Sequence, residues 1–167
     1  SIDGEAFRSN SLGQIELPAG LNEIAYWAFA DNQLTSLIIP SSVSYIGRDA
    51  FRNNQLNNVQ FLGDLPDTVF NIFSENPAIT NDEFRYFPYG DSALLMGCAE
   101  LCPSNLVIPQ IIDGYRVIGI DSGAFEGKQL TALTIPDSVI FIGFRAFFGN
   151  QLTTLALSGD VTRIRGS

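Results

Sequence analysis

Apolar and polar positions along the chain repeat as one unit of 22 residues. Phe7, Phe29 and Phe51 stand 22 apart, as do Phe125 and Phe147, and Leu12, Leu34 and Leu56 keep the same step, as do Leu130 and Leu152. Self-similarity at a fixed period of this length predicts a solenoid, because a single turn cannot bury its apolar face alone. Aligned on its best copies, the unit reads L-x-x-L-x-I-P-x-x-V-x-x-I-G-x-x-A-F-x-x-N-Q. Its first segment, as in Leu34, Leu37 and Ile39, ends in the alternation of a short strand. Pro18, Pro40, Pro109 and Pro136 close that segment, since proline gives no N–H to a ladder. A second segment, Val43 to Ile46, is extended or a tight turn that brings the chain back. The expected architecture is a right-handed solenoid of short parallel strands, mostly β and loop.

The remaining positions of the unit predict how its interior is filled. Gly47 and Gly143 imply a backbone bend or a close approach between layers. In the Ala-Phe pair the alanine leaves room and the phenylalanine takes it. Phe7, Phe29 and Phe51 should therefore form one aromatic column, and Phe125 and Phe147 a second. Asn32, Asn54 and Asn150 precede the Gln-Leu that opens the next turn, with Asn10 in the equivalent place. Repeated at one position, asparagine can form a ladder that satisfies turn groups water cannot reach. The alternative is a solvated turn residue tolerant of left-handed backbone. Lys128 holds this position in one copy and should turn outward.

The copies fall into blocks within one domain of residues 1–167: a first repeat block at 1–77, an insert at 78–105 and a second repeat block at 106–167. The copy from Leu56 reads as degenerate, with four extra residues before Pro66 and with Asn76-Pro77 in place of Ala-Phe. The insert reads as a β-hairpin turning at Gly90-Asp91. The repeat resumes at Leu106-Val107-Ile108-Pro109, five extra residues end in IDGYR, and a regular copy and a truncated one follow. The chain opens and stops inside a repeat, as a piece of a longer array would.

Composition narrows the chemistry. The chain has 167 residues and a net charge of −9, so nucleic acid and an acidic membrane surface are unexpected partners, and no membrane insertion is expected. No run of about 18 apolar residues occurs. Histidine is absent, which removes His-based triads and His metal ligands. Cys98 and Cys102 are two thiols or one local disulfide; a zinc site would need further soft ligands. The carboxylates Asp64, Asp67, Asp82, Glu83 and Asp91 follow no spacing that names a mechanism, so no enzyme, cofactor or metal is expected. Thr35, Thr131 and Thr153 are in register, but Gly13 and Asn57 break the array that ice binding would need.

TSLIIPSSVSYIGRDAFRNNQL, TALTIPDSVIFIGFRAFFGNQL and the restart NLVIPQIIDGYRVIGIDSGAF resemble bacterial leucine-rich repeats of the BspA-like surface-antigen class. The likeness covers nearly all of the chain outside roughly 74–104, with asparagine where that family usually has cysteine. It implies a secreted or cell-surface protein that is not an enzyme and binds proteins, host or matrix surface proteins among them.

Two surfaces are candidates for the binding. On the strand face, the x positions of L-x-x-L-x-I point away from the core. They are Gln14 and Glu16, Ser36 and Ile38, Asn58 and Gln60, Ala132 and Thr134, and Thr154 and Ala156. Repeat proteins bind protein ligands on extended surfaces of this kind. The alternative is the insert, where Tyr86, Phe87 and Tyr89 read as exposed aromatics beside Arg85. A structural role for those aromatics, as a cap over the solenoid, competes with it. Unpaired strand edges at the solenoid ends would also favour end-to-end self-association.

Overall fold

The computed structural model describes residues 1–64, 66 and 71–157, and residues 163–164 as backbone. Leu65, residues 67–70 with Asp67 among them, and residues 158–162 and 165–167 of the truncated last copy lie outside the described residues. The chain folds as two compact units, residues 1–77 and 78–167. Each is a β-solenoid, and no helix occurs among the described residues. The insert folds with the block that follows it.

Among the described residues the first unit carries four strands, β1 (Glu23–Ile24), β2 (Ser36–Ile39), β3 (Tyr45–Ile46) and β4 (Asn58–Phe61). β2 ends where Pro40 begins, as the proline dictates. β2 and β4 pair in parallel with Ser36 opposite Asn58 and Ile38 opposite Gln60, a register of one repeat. β1 and β3 pair the same way, Ile24 opposite Ile46. Leu37, Ile39 and Val59 enter the core from one layer and Ile24 and Ile46 from the other. Between them stand the rings of Phe7, Phe29 and Phe51, stacked at 5.2 and 5.4 Å.

The column has a fourth member. Phe73 stacks on Phe51 at 6.1 Å, with Ile72 buried in the place of the alanine. The expectation of a degenerate third copy is corrected here: Phe73 and Asn76 keep the 22-residue step from Phe51 and Asn54. Asn76 is therefore the ladder asparagine of this turn and not a substitute for the Ala-Phe pair. The 22-residue step holds from Asn58 through Phe73 to Asn76, so the copy has no inserted residues and Pro66 is not the counterpart of Pro40.

The turns around each phenylalanine are shaped by left-handed backbone on both sides of it. Trp27 (φ 56°), Asp49 (57°) and Asn71 (56°) precede the ring by two residues, and Asp31 (58°), Asn53 (50°) and Glu75 (60°) follow it by two. Such residues bear a steric cost, so something must hold them. Their N–H groups are spent on the next turn: Trp27 donates to Arg48 at 3.2 Å, Phe29 to Ala50 at 2.8 Å and Asp31 to Arg52 at 2.9 Å. The turns thus form a ladder of their own, perpendicular to the chain.

The second unit opens with β5 (Ile79–Thr80), β6 (Phe84–Tyr89) and β7 (Ser92–Cys98), joined through a two-residue turn at Gly90-Asp91 with Gly90 at φ 55°. The expected hairpin is present. It continues through β8 (Asn105–Val107), β9 (Ile111–Ile112), β10 (Tyr115–Ile120), β11 (Ala132–Ile135), β12 (Phe141–Ile142), β13 (Thr154–Leu157) and β14 (Arg163–Ile164). β8, β11 and β13 make one parallel sheet. The other sheet runs β14-β12-β10-β7-β6-β5, so the hairpin extends a solenoid layer through a parallel β7–β10 contact. The five extra residues before β10 form a second hairpin, β9 against β10, turning at Asp113-Gly114. Phe125 and Phe147 stack at 5.4 Å, and Phe84 meets Phe125 edge-on at 6.5 Å.

Candidate functional site

The strand face is built by alternation. Inward residues of β2, β4 and β11 are buried, which turns the residues between them outward. In the first unit Ser36, Ile38, Asn58 and Gln60 are all exposed, Ile38 to 55%, and Gln14 and Glu16 in the preceding turn are exposed as well. Gln14, Glu16, Ser36, Ile38 and Leu62 border a shallow depression of about 530 Å³. In the second unit Thr134, Thr154 and Ala156 are exposed and Ala132 is half-buried. Register places Ala132 opposite Thr154 and Thr134 opposite Ala156.

Two further residues of this face escaped the sequence reading. Asn105 and Val107 of β8 lie opposite Ala132 and Thr134 and are exposed, Val107 to 57%. They precede Pro109 by four and two residues, as Ser36 and Ile38 precede Pro40. That offset was the available signal.

The charged side chains of the first unit gather instead on the turns. Arg8 binds Glu5 at 2.9 Å and Asp31 at 3.0 Å and lies over the Trp27 ring at 4.1 Å. Asn53 donates to Asp31 at 3.0 Å, and this bond, then Arg8, holds the Asp31 carboxyl below its ordinary range. Trp27 Nε1 and Arg48 both donate to Asp49, at 3.2 and 3.0 Å, and Arg52 pairs with Glu75. In the second unit Arg145 pairs with Glu126 at 2.6 Å and lies over Phe148. Apart from Glu16, the candidate strand-face residues are uncharged.

The insert is placed differently from the sequence expectation. Tyr86, Phe87 and Tyr89 are buried, at 2%, 0% and 6% exposure, and only Arg85 of that group is exposed. β6 is covered on both faces, so no alternation shows in its sequence. The Tyr86 hydroxyl donates to Asp113 at 2.6 Å. Burial and then this bond push the Tyr86 phenol up to about 12. Burial alone pushes Tyr89 upward.

Cys98 and Cys102 form a disulfide with Cα atoms 5.4 Å apart. Among the described residues no three His, Cys, Asp or Glu side chains come together as metal ligands, and no helix is long and apolar enough to cross a membrane. The Thr131 and Thr153 hydroxyls donate to the backbone carbonyls of Ser104 and Thr131, at 3.2 Å each.

A family model of the BspA type leucine rich repeat region matches six copies over residues 1–87 and 104–167. The chain belongs to the BspA-type leucine-rich repeat family. The Phe columns and strand registers are that repeat in three dimensions. A solved structure of a leucine rich cell surface protein from Faecalibacterium prausnitzii A2-165 is 25% identical, with a TM-score of 0.41. The match covers 88% of this chain and 35% of that one, so the chain spans about a third of that protein's length. No curated protein matches the chain.

Proposed function

We propose that the chain is a non-enzymatic protein-binding module of a secreted or cell-surface protein, and that its ligand engages the strand face. One observation carries this reading. The outward x positions are exposed, in register and almost free of charge, while the charged pairs are confined to the turns. A lattice fixed by backbone pairing loses little order on binding, so many small contacts can sum to useful affinity. The BspA-type repeat supports a surface role. The Cys98–Cys102 disulfide also suits an oxidising compartment. With a net charge of −9 the chain favours basic or neutral protein partners, whose on-rate falls as salt rises.

The test is a pull-down against extracellular-matrix and cell-surface proteins with the parent and a Ser36→Lys, Asn58→Lys, Thr134→Lys variant. The parent retains a ligand and the variant loses it, with unchanged circular dichroism. Equal capture by both contradicts a strand-face site. Loss confined to an Arg85→Glu variant moves the site to the insert, and turnover of a peptide or glycan by the parent contradicts the non-enzymatic reading.

A further inference from the structure

The second unit lacks one rung of its strand-face sheet. Among the described residues that sheet ends at β8, whose one partner is β11. Phe84 occupies the aromatic place before Phe125, but its turn contributes no strand beside β8. A cleft of about 430 Å³ lies there instead, along Asn105, Leu106 and Val107 and beside Phe84. In a parallel ladder the backbone groups of alternate residues point to opposite sides. The Ser104 carbonyl accepts from Thr131 and Ala132, and Ile108 N–H donates to Thr134. The even-numbered residues therefore serve β11, and the N–H and C=O of Asn105 and Val107 face the cleft.

The cleft is acidic by construction. Asn81 Oδ1 accepts the N–H groups of Glu83 and Phe84, at 3.0 and 2.9 Å, which fixes the turn carrying Asp82 and Glu83. Ala99 N–H donates to the Glu83 carbonyl at 2.9 Å and ties this turn to the facing loop. The disulfide closes that loop, which presents Glu100 and a Leu101 that is 93% exposed. Asp82, Glu83 and Glu100 line the cleft with no basic residue among its walls.

We propose that β8 is a docking edge for an extended basic peptide segment of a partner protein, added as a parallel or antiparallel strand. The segment pairs its backbone with Asn105 and Val107, sets Lys or Arg against Asp82, Glu83 and Glu100, and lays an apolar side chain between Leu101 and Phe84. Strand addition to an exposed edge draws affinity from main-chain bonds and specificity from alternate side chains. A second copy of this chain is a poor occupant, because acidic residues outnumber basic ones 18 to 9. The proposal concerns the edge of β8 and is independent of the strand-face reading.

The probe is an acetylated, amidated Lys-Val-Arg-Val-Lys peptide, titrated into the full chain by calorimetry. Binding is expected, weakening as salt rises. The Asp82→Asn, Glu83→Gln, Glu100→Gln variant should bind at least about tenfold more weakly. Alternate backbone N-methylation of the peptide should cost as much. Val107→Pro removes only an outward donor and should also weaken binding, without loss of the parent's circular dichroism. Equal binding of the N-methylated peptide overturns the strand pairing. Equal binding by the charge variant, no binding at millimolar peptide, or self-association through this edge in place of peptide binding overturns the proposal. A Ser36→Lys, Asn58→Lys variant, altered only in the first unit, should bind the peptide normally, which separates this result from the strand-face test.

Discussion

The Asn76 carboxamide donates to the carbonyl of Phe51, one turn earlier, at 2.8 Å. Its oxygen accepts the Leu56 N–H at 3.0 Å. Asn32, Asn54 and Asn150 repeat the arrangement, each bridging two turns through one side chain. Asn32, Asn54 and Asn76 are buried and Asn150 half-buried, so losing the amide at a buried rung strands several groups at once. Asn54→Ala should destabilise the first unit by about 2–4 kcal/mol in denaturant titration. Asn10→Ala, at an exposed position of the same kind, should cost under about 1 kcal/mol.

Gly47 and Gly143 are fixed by closeness. A Cβ at Gly47 would lie 2.4 Å from the Tyr26 nitrogen, and one at Gly143 the same distance from that of Ser122. Backbone held by cross-turn bonds cannot yield cheaply. Gly47→Ala and Gly143→Ala should each cost about 1–3 kcal/mol in thermal or chemical unfolding. Gly13→Ala meets nothing within 4 Å and should be nearly neutral.

Tyr86 and Tyr89 set an alkaline limit on the second unit. Their phenols are raised in the folded state, Tyr86 to about 12, from an ordinary value of 10.0. Below pH about 10 both states keep the proton and stability is indifferent to these groups. Above it the unfolded chain ionises first, so stability falls as pH rises through the folded values. Each tyrosine removes up to about 1.4 kcal/mol per pH unit in that window. The tyrosinate absorbance of Tyr86 and Tyr89 should appear late and coincide with unfolding. Tyr86→Phe should remove part of the loss, and an unchanged alkaline profile in that variant contradicts the assignment.

Two serines at comparable places behave differently. Ser42 Oγ donates to the Leu21 carbonyl at 2.7 Å, whereas the fully buried Ser138 Oγ has no hydrogen-bond partner among the described residues. Ser138→Ala should be neutral or slightly stabilising, and Ser42→Ala should cost about 0.5–1.5 kcal/mol, as compared by urea midpoints.

Sequence periodicity carried most of the fold, because each repeated residue answers a repeated physical demand. Phenylalanine fills the column, proline stops the strand and asparagine closes the turn. Phe73 and Asn76 are obscured by Pro66, which does not stand where Pro40 stands in the repeat. The interior constrains the ring and the carboxamide more tightly than the strand end. Tyr86, Phe87 and Tyr89 are obscured as well, since a strand covered on both faces has no polar side to announce it. The β9–β10 hairpin was also missed, although Asp113-Gly114 between apolar pairs is a hairpin turn signal. Strand-face positions were legible by alternation, but which protein would touch them is not written in the repeat.

A strand-face site depends on which side of each turn is inside. The direct measurement is a pair of denaturant titrations on Phe51→Ala and Thr35→Ala, one residue fully buried and the other exposed. The account predicts a loss of about 3–5 kcal/mol for the first and under about 0.5 kcal/mol for the second. Equal losses would contradict it.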